Sequence, residues 1–194
     1  MFTGIVESVG KILNIHERKI HLQCNFLSQI TLGQSICHDG VCLTVFDIDN
    51  SGYWIEIGQE TIEKTNFKHT LKEKKHLPIN LERSMLNNGR FDGHIVQGHV
   101  DETVRLVNIL QQNNSYIFDF NSESEIMKKL TVEKGSVCIN GVSLTINDVT
   151  KNSFSVCVIP YTYEKTNFKY LKKGCFVNVE YDILGKYILK NTAY

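Results

Sequence analysis

The sequence predicts an all-β protein in which two tandem, similar barrels are followed by a short helix. Three observations carry that reading. First, the chain repeats itself: residues 35–68 overlay 136–169 at a constant offset of 101, with 14 of 34 positions identical. SICHDGVCLTV at 35–45 returns as SVCINGVSLTI at 136–146, and QETIEKTNFK at 59–68 returns as PYTYEKTNFK at 160–169. A weaker echo joins TGIVESVGKILNI at 3–15 to QGHVDETVRLVNI at 97–109. Second, most segments alternate apolar and polar residues with a period of two and are rich in β-branched and aromatic side chains, the pattern of strands. Third, Asp39-Gly40 and Asn140-Gly141 lie between such segments, and both dipeptides tolerate the positive φ angles of a tight hairpin turn. Short strands, glycine-bearing turns and few helices favour a small closed barrel in each half.

The elements follow in order. Ile20, Leu22, Cys24 and Phe26 point to one face of a strand, with His21, Gln23 and Asn25 on the other. After the first hairpin turn, VCLTVFDI reads as a strand, ended by Asn50-Ser51-Gly52 and followed by another strand. One turn of helix is expected in TIEKTNF, with Thr61 as its N-cap. The basic run Lys72, Lys74, Lys75 is interrupted by Glu73 and reads as a solvated turn. SMLNNGRFD at 84–92 breaks the alternation and is the expected linker, dividing the chain into barrels at 1–87 and 88–182. In the second half Tyr116, Phe118 and Phe120 alternate, and 124–130 forms a short helix with Ile126, Met127 and Leu130 inward. VSLTINDV, the turn Lys151-Asn152-Ser153 and a further strand repeat the first half, and TYEKTNF supplies another helical turn capped by Thr162. The tail, 183–194, places Ile183, Leu184, Tyr187 and Ile188 on one helical face. So short a helix is marginal alone in water, so it is expected to pack on something, another subunit being the candidate.

Composition narrows the function. Lys+Arg and Asp+Glu both number 21, so the chain lacks the basic field of a nucleic-acid binder. MFTGIVESVG has no basic segment and no apolar signal core, and no apolar run reaches membrane-spanning length. Six cysteines without a CxxC, several inside apolar alternation, suit reduced thiols in a cytoplasmic protein better than a disulfide framework. There is no P-loop, no GxGxxG after a strand and no zinc-ligand set, so neither cofactor nor metal is expected. His94 and His99 lie five apart in GHIVQGH; on a strand they point to opposite faces unless Gly98 bulges the chain, which argues against a shared metal.

Two modules of this size imply two similar pockets, and hence a reaction or complex that uses two similar molecules. Positions that grip a common scaffold should match between halves: Gly4 and Gly98, Val6 and Val100, Leu43 and Leu144, Thr44 and Thr145, Thr61 and Thr162. Residues of barrel cores and turns retained after duplication would match as well, and for Val and Leu that is the stronger reading. Glycine allows a ligand to approach the backbone closely, and a threonine hydroxyl can bond a heterocycle edge. The pairs that differ mark divided chemistry: Ile5 and His99, Cys42 and Ser143, Glu60 and Tyr161, Asp39 and Asn140. Taken singly, Cys42 also reads as a structural thiol and His99 as a satisfied core histidine.

At these residues the chain resembles a known family. MFTGIV, DGVCLT, NGVSLT, GHIVQGHVD and IPYT together are similar to riboflavin synthase of the trimeric α-chain type, over essentially the whole chain. The resemblance implies two six-stranded Greek-key barrels, a homotrimer, and an active site between the N-barrel of one subunit and the C-barrel of its neighbour. It implies a transferase that needs no cofactor: one 6,7-dimethyl-8-ribityllumazine gives a four-carbon unit to another, yielding riboflavin and 5-amino-6-ribitylamino-uracil. Substrate contacts would fall on Gly4, Ile5, Val6, Cys42, Leu43, Thr44, Glu60 and Thr61 in the first half. In the second they would be Gly98, His99, Val100, Lys134, Ser143, Leu144, Thr145, Pro160, Tyr161 and Thr162. Cys42, His99 and Ser143 are the expected catalytic groups, and association with lumazine synthase is a further expectation. Some relatives carry an aspartate where this chain has Asn140, a candidate for proton transfer that would be missing here. The rival readings are a lumazine- or flavin-binding antenna without turnover, a flavin barrel cut from a reductase, and a structural barrel that binds protein.

Overall fold

The period-two segments close on themselves twice. A computed structural model describes residues 1–73 and 78–192; Lys74 and Lys75 of the basic run and residues 193–194 of the tail lie outside the described residues. In the first half β1 (Ser8–His16), β2 (Lys19–Gln23), β3 (Ser35–His38), β4 (Val41–Ile48), β5 (Tyr53–Glu56) and β6 (Ile79–Arg83) pair antiparallel in the order β1-β2-β5-β4-β3-β6, with β6 returning to β1. In the second half β7 (Glu102–Gln112), β8 (Ser115–Asn121), β9 (Ser136–Ile139), β10 (Val142–Val149), β11 (Ser153–Val158) and β12 (Phe176–Tyr181) repeat that order. Closure leaves no unpaired edge. The register slips at Ile12/Asn14 and Val45/Asp47 and again at Leu106/Asn108 and Ile146/Asp148. Such bulges supply the bend a small barrel needs, at equivalent places in the two halves. The hairpin turns are as the dipeptides predict, with φ of 47° at Asp39, 84° at Gly40, 46° at Asn140 and 77° at Gly141.

Each barrel has its own apolar core. Ile20, Leu22 and Phe26 point inward in the first, and Phe118 and Phe120 in the second. His21, on the opposite face of its strand, is still buried because it stacks on Trp54, with ring centroids 4.5 Å apart. Among the described residues no helix is long and apolar enough to cross a membrane.

The helices depart in part from expectation. In the first half α1 (Gln59–Lys64) is followed by a second helix, α2 (Phe67–Glu73), which the sequence reading did not anticipate. In the second half α3 (Glu125–Leu130) is capped by Ser124, whose hydroxyl accepts the Met127 N–H. Next, α4 (Pro160–Lys165) leads into a 3-10 turn at Asn167–Tyr170. Thr61 and Thr162 do not cap: Gly58 and Ile159 occupy the N-caps, so each threonine lies inside its helix. Pro160 at the first turn explains the earlier start, since its ring presets φ and its missing N–H would have been unpaired there anyway. Capping falls instead to Thr65 and Thr166. Their hydroxyls donate to the carbonyls of Thr61 and Thr162 at 2.6 and 2.7 Å, and accept the N–H of Phe67 and Phe168. The tail forms α5 (Ile183–Thr192), in which Gly185 packs against Leu130 of α3 while Leu184, Tyr187 and Ile188 stay about 60% exposed.

The two barrels meet through a two-fold-like network of amides. Asn66 sends its backbone N–H to Asn178 Oδ1 across the junction, and Asn167 sends its own to Asn80 Oδ1, each at 2.7 Å. Asn80 Nδ2 donates to the Asn140 carbonyl and Asn178 Nδ2 to the Asp39 carbonyl, at 2.9 and 2.8 Å. The repeated TNF triplet is therefore an assembly motif: threonine caps, asparagine crosses to the other barrel, and Phe67 or Phe168 fills its own core. Asn140 belongs to this network, accepting the Asn178 N–H at 2.8 Å, and is buried between barrels. An apolar cluster of Phe2, Cys37, Val96 and Cys138 completes the junction.

Candidate active site

The expected ligand residues are brought together by a crossing that their order in sequence does not suggest. Residues 3–7 and 97–101 are straps that precede the first strand of each barrel. Each strap is anchored to its own barrel but lies on the other one. Thr3 and Gly4 give their N–H groups to the Glu82 carboxylate on β6, at 2.7 and 3.0 Å. Gln97, Gly98 and His99 give theirs to Glu180 on β12, at 2.7, 2.9 and 2.8 Å. Burial pushes both carboxyls above their ordinary pKa, and the N–H groups pull the other way. From there the strap carbonyls reach across: Gly98 O accepts the Cys42 N–H at 2.9 Å, and Gly4 O accepts the Ser143 N–H at 2.8 Å. The glycines are required. Their φ angles are +82° and +78°, and a Cβ would stand 2.5 Å from Cys42 Cβ or 2.6 Å from Ser143 Cβ. Val100 accordingly packs on the N-barrel core and Val6 on the C-barrel core.

This exchange regroups the candidates. Cys42, Glu60, Thr61, Gly98, His99 and Val100 line one cavity of about 350 Å³, joined by Val41, Lys64, Thr65, Asp101 and Lys186. Gly4, Ile5 and Val6 lie instead with Ser143 at the C-barrel, where α4 carries Pro160, Tyr161 and Thr162 in the positions that Gln59, Glu60 and Thr61 hold on α1. Leu43 and Leu144 turn into the barrel cores, so only their backbones can face a ligand. Thr44 and Thr145 are exposed on the outward face, two residues beyond Cys42 and Ser143. Lys134 sits in the turn before β9 with φ +66°, its N–H bonded to Ile146 O and its side chain exposed. Among the described residues nothing links its side chain to Ser143.

Several groups were missed. Lys64 bonds Glu60 at 2.9 Å and holds its carboxyl below the usual range, while Lys186 of α5 reaches Asp101 at 2.6 Å. His94 Nδ1 lies 2.7 Å from Ser143 Oγ. It lies at the C-barrel beside Ser143, whereas His99 lines the N-barrel cavity, so the two histidines belong to different barrels' surroundings. No cluster of three or more metal-ligating side chains occurs among the described residues. Glu82 and Glu180 could have been found, because N-x-E recurs as Asn80-Leu81-Glu82 and Asn178-Val179-Glu180.

A larger cavity, about 540 Å³, opens between the barrels over Asp39, Asn66, Asn140 and Asn167. Its polar floor is the amide network, whose groups already satisfy one another, so its size does not make it the site.

Two half-sites, each built from one barrel and the other half's strap, are what a doubled ligand-binding domain should show. The lumazine binding domain matches residues 3–84 and again 97–182. Riboflavin synthase of Actinobacillus pleuropneumoniae is 40% identical over 193 residues, covering 97% of this chain and 88% of that protein. The chain belongs to the riboflavin synthase family. The riboflavin synthase of Bacillus subtilis (strain 168) is 36% identical and covers 98% of this chain and 89% of its own length. That of Schizosaccharomyces pombe is 36% identical and covers 98% and 93%. LumP, solved in complex with 6,7-dimethyl-8-(1'-D-ribityl) lumazine, superposes with a TM-score of 0.81 over 93% of this chain and 99% of its own, at 22% identity. LumP complexed with riboflavin superposes at 0.80 and 24% identity. At that identity the likeness is one of fold, and the riboflavin synthases carry the family assignment.

Proposed function

We propose that this chain catalyses the riboflavin synthase dismutation, in which two 6,7-dimethyl-8-ribityllumazine molecules exchange a four-carbon unit to give riboflavin and 5-amino-6-ribitylamino-uracil. The observation that carries the reading is the crossed pair of half-sites, equivalent in frame and unequal in chemistry. One offers Cys42, Glu60 and Thr61 to the strap Gly98, His99 and Val100; the other offers Ser143, Tyr161, Thr162 and Pro160 to Gly4, Ile5 and Val6. A shared frame suits one heterocycle twice over, and the differing side chains suit unlike partners in one transfer. Holding two reactants in register is worth up to about 7–11 kcal/mol, more than the roughly 10²–10⁴-fold that a positioned acid or base adds. Positioning therefore dominates, and single polar substitutions slow turnover without abolishing it.

The half-sites are open. His99 is exposed, Ile5 is 43% and Tyr161 71% exposed, and α5 leaves Leu184, Tyr187 and Ile188 uncovered. A second copy of the chain that covered the helix and brought a C-barrel site over an N-barrel site would complete both, which supports a homotrimer with shared active sites. We further infer a cytoplasmic location with reduced thiols, where association with lumazine synthase would supply the substrate directly.

Incubation with the lumazine tests the function. Riboflavin should accumulate, and stable binding without product would make the protein an antenna. Cys42→Ser should keep lumazine affinity and lower turnover; unchanged turnover would remove the thiol from the mechanism. Tyr187→Glu combined with Ile188→Asp leaves Lys186 in place, so sedimentation should show smaller species and activity should fall with them. A fully active monomer would contradict shared sites.

A further inference from the structure

We propose that His94 is the positioning residue for Ser143, holding the serine hydroxyl toward the C-barrel site and exchanging its proton. The inference rests on the proposed dismutation and adds to it a group outside the expected contact set.

The geometry is specific. His94 Nδ1 and Ser143 Oγ are 2.7 Å apart. The chain is threaded to make that possible: the His94 N–H bonds Thr3 O at 3.1 Å, and a Cβ on Gly93 would stand 2.0 Å from Thr3 O and 2.9 Å from Ser143 Oγ. Only glycine at 93 lets residue 94 come this close to the serine. The other nitrogen matters as much. His94 Nε2 is buried and has no hydrogen-bond partner among the described residues. His38 shows what a structural histidine looks like here, with Nδ1 on Ile36 O and Nε2 on the Tyr53 hydroxyl, both at 2.9 Å. A histidine engaged on both sides has its proton fixed, whereas one engaged on a single side keeps its tautomer free to follow the one partner it has. Burial lowers the His94 pKa from 6.5, so the ring is a neutral base at pH 7, and the charged group acting on it, Asp182, favours the imidazolium. Cys42, the counterpart of Ser143, has a different setting: it packs on the apolar junction cluster.

In the reaction, the acidic methyl on carbon 7 of a lumazine gives its proton to Ser143 Oγ as the serine proton passes to His94 Nδ1. One C–H and one O–H bond break, and one O–H and one N–H form. The pteridine is left as a delocalised carbanion and His94 as an imidazolium; the proton returns by the same path.

The test is solvent exchange of the carbon-7 methyl protons, followed by proton NMR in deuterated water above the uncatalysed rate, together with turnover, KM and pH profiles. His94→Ala should slow exchange and kcat by about 10–100-fold, with KM within about twofold. His94→Asn can still bond Ser143 Oγ but cannot accept a proton, so it should fold and bind like the parent while losing the fall in rate on the acid side of pH 6.5. In a Ser143→Ala background, His94→Ala should add less than about twofold, because residues acting as a unit are not additive. Parental exchange in His94→Asn, or a full further loss on top of Ser143→Ala, would overturn the proposal. If the unaltered protein makes no riboflavin, the functional reading has failed instead; if it does and the variants match it, the inference alone has failed.

Discussion

Glu180→Ala should release the strap that carries His99 and disable the N-barrel half-site while leaving the C-barrel half-site in place. The carboxylate takes three consecutive backbone N–H groups, from Gln97, Gly98 and His99, and the side chain is almost fully buried. Alanine leaves those donors facing an apolar void, and water can reach only some of them. The stability cost is on the order of 3 kcal/mol. The functional cost is larger, because Gly98 O no longer meets the Cys42 N–H and one wall of the cavity is lost. Lumazine titration should fall from two bound per chain to one, and riboflavin formation should drop to background. Glu180→Gln keeps one acceptor oxygen but turns an amide NH2 toward a strap N–H, so it should fall between. Two full-affinity ligands on Glu180→Ala would show that the strap is not held by this carboxylate.

The second large effect is a dependence of stability on pH that Asp39 imposes. Asp39 lies in the amide network, accepting the Asn80 N–H and Asn167 Nδ2 through Oδ1 at 2.7 and 2.9 Å. Burial raises its pKa from 3.8 to about 7 against those donors. The folded form therefore holds a proton that the unfolded chain releases near pH 4. Stability is full below that pH and declines as pH rises toward 7, by roughly 4 kcal/mol in total at about 1.4 kcal/mol per unit. His38 works against this: burial lowers its pKa from 6.5 to about 4, so its contribution grows with pH across the same window. The parent curve is consequently shallow. Asp39→Asn separates the two, because Asn140 shows that an amide fits the equivalent position. The difference in unfolding free energy between variant and parent should be small at pH 4 and widen in favour of the variant to about 4 kcal/mol above pH 7. Urea titrations across that range give the difference directly, and parallel curves would show that Asp39 is ionised in the folded protein.

Much of the fold was legible because its determinants are local. Asp39-Gly40 and Asn140-Gly141 dictate hairpin turns through their own φ preferences, and Ile20, Leu22 and Phe26 declare an inward face by alternation alone. The helix starts were misplaced because Thr61 and Thr162 match the usual cap residue, while Pro160 and a geometry shared with Gln59 moved the caps three residues upstream. Overlaying the repeats identified Cys42 with Ser143 and Gly98 with Gly4, but equivalence cannot say on which barrel a strap comes to rest. That depends on the junction, where Phe2 pairs with Val96 and the asparagines interlock, and both involve residues far apart in sequence. In the sequence His94 suggests nothing beyond a metal partner for His99. Its contact with Ser143 joins residues separated by 49 positions, and spacing carries no trace of it.

The exchanged straps limit how such a protein can be cut or could have arisen. A lone repeat would own a barrel and a leading segment yet be unable to use one on the other, since that segment is aimed at a neighbour. It would gain a complete recess only as a reciprocal pair, each copy lending its first residues to its twin. Joining two repeats in a single polypeptide makes that loan between molecules an internal one. The two recesses could then drift apart in chemistry while sharing a frame.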